Sequence, residues 1–223
     1  MAKSDIPTAK SIAHIDKSQG DDRKALRATC LERRNTIDPG LKLQYDTAII
    51  ARLIDWLDKH PPAKQSDALL ALWWPIGSEP DWRSFASQLR RLGWQLALPC
   101  VTGKNLPLSF ARYDEDTVLR CAGLGIFEPA QVQRIQPWII AAPCVGFFKN
   151  YRLGYGGGYY DRSLAQLDDG ARKRTIAVAY SACEVVFEPE AHDIAFATLI
   201  TESPTIRDQA RALRECQGSI DPG

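Results

Sequence analysis

Excess charge of either sign is missing from this sequence. Across 223 residues, 28 lysines and arginines offset 27 aspartates and glutamates, leaving a net charge of +1. General nucleic-acid binders carry a strongly basic footprint, so nucleic acid is not expected as a partner, and an anionic ligand must be held by a local cluster of cations. Long apolar runs are missing as well. The most extended, Ala68 to Pro75 and Trp138 to Val145, hold eight residues each, where a membrane helix needs ~20. No membrane partner is expected. The first twenty residues contain Lys3, Asp5, Lys10, Asp16 and Lys17 and no seven-residue apolar core, so no secretory signal peptide is predicted there. The six cysteines (Cys30, Cys100, Cys121, Cys144, Cys183 and Cys216) form no C-x-x-C pair and stand at no metal-ligand spacing from His14, His60 or His192. They are expected to be buried, reduced thiols, and the cytoplasm is the expected compartment.

What is present is a globular composition, 45% hydrophobic and 25% charged. A chain of this length hides roughly 70–75% of its unfolded surface without needing a disulfide or metal staple. Residues 1–20 are polar and aperiodic and are expected to be a disordered leader, with residues 204–223 a C-terminal tail. Between them the pattern predicts a helix over 22–34, with Leu26, Cys30 and Leu31 on its apolar face. Asp38-Pro39 then provides an N-cap and first helical residue. A second helix runs to about His60, where Pro61-Pro62 stops it. Ala68–Trp74, Trp94–Val101, Trp138–Pro143, Thr175–Tyr180 and Thr198–Thr201 are predicted as buried strands, and Leu106–Tyr113 as an edge or hairpin strand. Helices are predicted at Asp81–Leu92, closed by Gly93, and at about Tyr159–Leu167. Residues 114–136 are predicted to be loop and short irregular pieces. Strand–helix alternation of this kind specifies a single α/β domain over 21–203, a three-layer α/β/α arrangement with a mainly parallel sheet.

The stretch that carries chemistry is Arg152–Arg162, RLGYGGGYYDR. Gly154, Gly156, Gly157 and Gly158 are predicted to lie between a buried strand and a helix. In an open parallel sheet, ligands bind beyond the carboxyl ends of the strands. Glycines there let backbone N–H groups face an anion with no Cβ in the way, and the start of the helix adds its positive end. Arg152 and Arg162 flank the loop and can fork onto phosphate oxygens, while Asp161 can hold a magnesium ion that bridges them. The same residues also fit a plain strand-to-helix turn with half-buried tyrosines. Neither a G-x-x-x-x-G-K-[ST] loop, a dinucleotide fingerprint nor a G-x-S-x-G elbow is present. The residues alone thus indicate a phosphate-binding loop of an uncommon kind.

The same stretch resembles the signature of the 5-formyltetrahydrofolate cyclo-ligase family, also called 5,10-methenyltetrahydrofolate synthetases. Residues 22–27 (DRKALR) resemble its basic first helix, Gly77–Asp81 its acidic turn, and His192-Asp193 with Leu199–Thr201 its closing segment. The resemblance implies a scaffold like that of sugar-phosphate isomerases and CoA-transferases, and a monomer. It implies ATP as co-substrate, Mg2+, a reduced folate as substrate, and ring closure through a phosphorylated formyl group. By the same resemblance Arg23, Lys24 and Arg27 meet the triphosphate. Arg152, Leu153, Gly154, Tyr155, Gly156, Gly157, Gly158 and Tyr160 cradle it from the other side. Trp74, Ile76, Glu79, Tyr155, Gly156–Gly158 and Tyr159 line the folate pocket. Asp161 and Asp193 are the magnesium carboxylates, and Arg152, Tyr159 and Asp161 the catalytic set. The bland alternatives are a solvated helix face for Arg23, Lys24 and Arg27, a capping role for Glu79 and local pairing for Asp193. At the level of function the alternatives are a non-catalytic ATP- or folate-binding paralogue, or another phosphate-binding enzyme on the same scaffold.

Overall fold

Apolar residues fill consecutive positions around Leu70, Leu96, Ile140 and Ile176, and a computed structural model shows both faces of each strand covered. The structure describes residues 23–123, 125–133 and 135–204. In chain order these form α1 (Arg23–Asn35), α2 (Pro39–Asp58), β1 (Leu69–Ala71), α3 (Ala86–Arg91), β2 (Gln95–Cys100), β3 (Ser109–Tyr113), β4 (Leu119–Gly123) and β5 (Ile126–Pro129). Then follow β6 (Ile139–Pro143), β7 (Gly146–Phe148), β8 (Tyr151–Leu153), α4 (Tyr159–Ala165), α5 (Asp169–Arg172), β9 (Thr175–Val178) and β10 (Thr198–Ile200). Six strands make one sheet in the order β10-β9-β6-β1-β2-β3. All its pairings are parallel except that of β3, which runs antiparallel to β2 at one edge. The α/β class and the mainly parallel sheet are therefore as the sequence predicts.

Alternate strand residues serve the two faces. Leu70, Ile139, Ala141, Ile176 and Val178 pack with Cys30 of α1 and Ile49, Leu53 and Leu57 of α2. On the opposite face Leu69, Ala71, Ala97, Phe110 and Ile140 form one apolar cluster. Ala142 and Ala177 join Leu164 of α4 and Phe196 in another. Helix α2 begins as its sequence demands: the Asp38 carboxylate accepts from the N–H groups of Gly40 (2.9 Å) and Leu41 (3.2 Å), with Pro39 in the first turn. Asp38→Ala is expected to cost about 1 kcal/mol of stability, the ordinary value of a lost N-cap, in a urea unfolding curve.

Several local expectations are corrected. The apolar run 68–74 pairs as a strand only over Leu69–Ala71; beyond it the chain turns, held where Trp82 Nε1 donates to the Trp73 carbonyl at 2.6 Å. The helix expected at Asp81–Leu92 is split into a tight turn, Arg83–Phe85, and α3, because the Asp81 carboxylate binds the N–H and guanidinium of Arg83. Residues 114–136 contain the β4–β5 hairpin. A second hairpin, β7–β8, lies between β6 and the glycine loop, turning through Lys149 at φ 54°. The helix predicted to reach Leu167 stops at Ala165. Cys30, Cys100, Cys144 and Cys183 are buried free thiols as expected, but Cys121 is exposed on β4. Cys216, the leader 1–20 and tail residues 205–223 lie outside the described residues.

Candidate active site

Three segments meet at the carboxyl ends of the central strands: the turn after β1, the glycine loop that follows β8, and α1, which lies across both. Arg23, Arg27 and Arg34 are spaced by four and seven residues, which places them on one face of α1. Each reaches a different partner. Arg27 Nε donates to the Gly154 carbonyl at 2.7 Å. Arg34 is 3% exposed; its Nε donates to Ser78 Oγ at 3.0 Å and a terminal nitrogen to the Tyr155 hydroxyl at 2.7 Å. Arg23 is clamped to Asp193 at 2.5 Å, to Glu190 at 3.1 Å and to the Glu188 carbonyl at 3.0 Å.

Arg152 lies on β8 and is 8% exposed. Its guanidinium donates to the Pro143 carbonyl (3.4 Å) and the Asp161 carboxylate (3.5 Å) and lies 5.0 Å from the centroid of the Tyr160 ring. Gly154 is required here by a close approach: a Cβ would sit 2.7 Å from Arg152 Cζ. Gly156 holds φ at +97°, in the left-handed region, facing the Arg27 guanidinium. Arg162 closes the loop by donating to the Gly157 carbonyl at 2.8 Å, with its guanidinium over the Tyr159 ring. Two buried polar atoms beneath this loop, Arg152 Nε and the Tyr160 hydroxyl, have no hydrogen-bond partner among the described residues.

On the turn after β1, Glu79 is 1% exposed. One carboxylate oxygen accepts from the Ile76 N–H at 2.9 Å; the other is buried with no hydrogen-bond partner among the described residues, 3.9 Å from an Arg34 nitrogen that also has none. Burial pushes the Glu79 carboxyl above its ordinary range, against the opposing pull of the Ile76 N–H, Arg34, Tyr155 and Arg152. Burial, with the nearby Glu79 charge, also pushes the Tyr155 phenol up to about 12. Asp193 goes the other way: burial raises it, but the Arg23 guanidinium and the Glu190 N–H outweigh burial and hold it below the usual carboxylate value. Trp74, half-buried, has Phe127 of β5 at 5.2 Å and the Arg83 guanidinium at 5.1 Å from its ring. Phe127 is 39% exposed, so Trp74 and Phe127 form an accessible aromatic wall.

The structure thus brings together Arg27 of α1, Arg152 and Leu153 of β8, the loop residues Gly154, Tyr155, Gly156, Gly157 and Gly158, and Tyr159 and Asp161 at the start of α4, with Ile76 and Glu79 near Tyr155. Lys24 is exposed on α1. Tyr160 turns inward and packs against both apolar clusters of the far sheet face. Asp161 and Asp193 are engaged by different arginines, and among the described residues no group of three acidic, histidine or cysteine side chains could hold a metal by itself. Sequence reasoning missed Arg34 and Phe127. The seven-residue spacing from Arg27 to Arg34 was the available signal for the first; the second sits on a hairpin the pattern did not reveal. A groove of about 470 Å3 lies apart from this site, beside α4, lined by Leu106, Leu108, Phe110 and Leu167 among others and, among the described residues, by no ionisable side chain.

Residues 19–202 match the model of the 5-formyltetrahydrofolate cyclo-ligase family. A 5-formyltetrahydrofolate cyclo-ligase of Mycoplasma pneumoniae is 29% identical over 169 residues, covering 75% of this chain and 92% of the relative. One from Mycolicibacterium smegmatis is 27% identical over 197 residues, covering 80% and 93%. Among solved structures, the 5,10-methenyltetrahydrofolate synthetase of Mycoplasma pneumoniae superposes with a TM-score of 0.62 at 29% identity, over 82% of this chain and 99% of that one. That of Aquifex aeolicus gives 0.65 at 30% identity, over 81% and 90%. With the matched segment spanning the sheet, α1, the Glu79 turn and the glycine loop alike, the chain belongs to the 5-formyltetrahydrofolate cyclo-ligase family.

Proposed function

We propose that this chain converts 5-formyltetrahydrofolate, ATP and Mg2+ into 5,10-methenyltetrahydrofolate, ADP and phosphate. The supporting observation is an arginine-braced glycine loop joined, through Tyr155 and Arg34, to the turn that carries a buried carboxylate. The loop, with Arg152 and Arg27 at Gly154, suits a triphosphate; Glu79, with an unsatisfied oxygen, suits the N–H groups of a pterin. The Trp74–Phe127 wall suits its flat ring.

The chemistry explains why both halves are needed. A formamide oxygen leaves poorly, so it first attacks the γ-phosphorus of ATP, and ADP departs. The neighbouring N10 then attacks the formyl carbon; the C–O bond breaks, phosphate leaves, and the N10 proton passes to phosphate or solvent, giving the amidinium product. Phosphoryl transfer asks the protein for positioning and neutralisation of charge, which Arg152, Arg27 and the loop amides supply. Ring closure joins two atoms of one bound folate, so holding it in a near-attack pose lowers most of the remaining barrier. Asp161, in the first turn of α4, would hold Mg2+ together with phosphate oxygens; a site without an acidic cage fits an ion that is usually bound by one or two carboxylates plus substrate phosphate. That ion supplies neutralisation of the triphosphate charge. Asp193 fixes Arg23 at the edge of the same site. Among the described residues no helix is long and apolar enough to cross a membrane, and we propose a monomer acting in the cytoplasm.

Purified chain mixed with 5-formyltetrahydrofolate and Mg-ATP is expected to generate the near-ultraviolet methenyl chromophore, with ADP formed in equal amount. No absorbance change at saturating substrates would end this reading.

A further inference from the structure

Helix α1 places a guanidinium almost wholly out of reach of solvent. Arg34 is buried, and its fork joins Ser78, in the turn that carries Glu79, to the hydroxyl of Tyr155, on the glycine loop. Its remaining nitrogen faces Glu79 at 3.9 Å, and both atoms of that pair are buried without a hydrogen-bond partner among the described residues. A planar guanidinium holds its donors in fixed directions, which suits three partners set around it. A cation isolated in this way from bulk water would be expensive if it served packing alone.

We infer that Arg34 is a positioning residue for the reaction: it fixes the folate-holding turn against the nucleotide-holding loop and sets a positive charge beside the Glu79 carboxylate. This inference rests on the function proposed above. Glu79 is also faced by Tyr155 and Arg152 from the glycine-loop side, by the Ile76 N–H from its own turn, and it influences Cys144 after β6 and Tyr160 of α4. Of these neighbours Arg152 is already engaged by Pro143 and Asp161. Removing Arg34 therefore takes away the nearest cation that favours the charged form of Glu79.

The test is the pH dependence of kcat/KM for the reduced folate, measured as methenyl formation, in wild type, Arg34→Gln and Arg34→Lys. With the glutamine variant the acidic limb is expected to move to higher pH, because Glu79 then ionises less readily. The loss, roughly 10- to 100-fold near pH 6, shrinks as pH rises. The lysine variant keeps the charge and hence the acidic limb, but cannot hold Ser78 and Tyr155 together, so it loses several-fold at every pH. An equal loss at all pH values in the glutamine variant, or an unmoved limb, overturns the inference. If that variant does not fold, a lysine variant indistinguishable from wild type does the same. A wild-type protein that makes no methenyl product removes the proposed function itself, whereas an active wild type with an unmoved limb removes only this role of Arg34.

Discussion

Gly154→Ala is expected to lower kcat/KM for ATP by ~100-fold while the fold survives. The backbone at Gly154 is not in the left-handed region, so alanine meets no dihedral penalty there. The conflict is with one side chain. The new Cβ would lie 2.7 Å from Arg152 Cζ and 2.8 Å from one of its terminal nitrogens, closer still to the other. A flexible arginine at a surface would swing aside. Arg152 has no such freedom, being 8% exposed and held by the Pro143 carbonyl, the Asp161 carboxylate and the Tyr160 ring. Relief therefore displaces the guanidinium from its place beneath the loop, or shifts the loop, by more than the tolerance of a phosphate-transfer site. Stability should fall by only about 1–3 kcal/mol, the usual cost of one overpacked methyl. Steady-state kinetics with varied ATP, paired with urea unfolding, separates the two effects. An alanine variant with near-normal kcat/KM would show that the guanidinium is not needed where it stands.

How much of this could be read beforehand follows burial. The sheet strands are apolar on both faces, so runs such as IIAAP announced themselves, and Pro and Gly marked the ends of α2 and α3. Helix α1, expected over 22–34 and found over Arg23–Asn35, hid its purpose. Its charged residues look alike in sequence; only the four- and seven-residue spacing separates Arg23, Arg27 and Arg34, which face the protein, from exposed Lys24. The β4–β5 hairpin escaped because most of β4 is exposed and carries no apolar period. The β7–β8 hairpin escaped for another reason: each strand has three residues, and its turn uses a lysine at positive φ where glycine or asparagine is the usual sign. The first omission cost Phe127. The second left Arg152 as a residue flanking the glycine loop; it belongs to a strand, which helps hold its guanidinium in place beside Gly154. Within the glycine segment, the resemblance to the family singled out a run of residues without telling their orientations apart. It did not distinguish Tyr155, which reaches across to Arg34, from Tyr160, whose hydroxyl points into the interior.

Glu79→Gln should separate stability from activity in opposite directions. Ionised Glu79 is buried, and burial outweighs the attraction of Arg34, which stands 3.9 Å away without a shared hydrogen bond. Its folded carboxyl is consequently weaker as an acid than the unfolded one. A group of that kind contributes most to stability below its unfolded pKa, and the contribution is lost as pH rises through the raised folded value. Wild-type melting temperature should therefore fall as pH climbs from the ordinary carboxylate range through that value. Glutamine mimics the protonated form, keeps an oxygen for the Ile76 N–H, and should erase that fall, leaving the variant at least as stable as wild type at neutral pH. Catalysis runs the other way. With its one oxygen taken by the Ile76 N–H, the amide turns an NH2 donor to the place where the carboxylate offers the pterin's N–H groups a free acceptor, so kcat/KM for the folate is expected to drop by roughly 100- to 1000-fold. Thermal melts from about pH 5 to pH 8 together with the methenyl assay measure both. A variant less stable than wild type at neutral pH would make Glu79 half of a structural ion pair with Arg34. The combination of a firmer fold and a failed reaction is what a buried carboxylate reserved for its ligand must give, since the free energy withheld from folding is released only when the folate's N–H groups fill the unsatisfied oxygen.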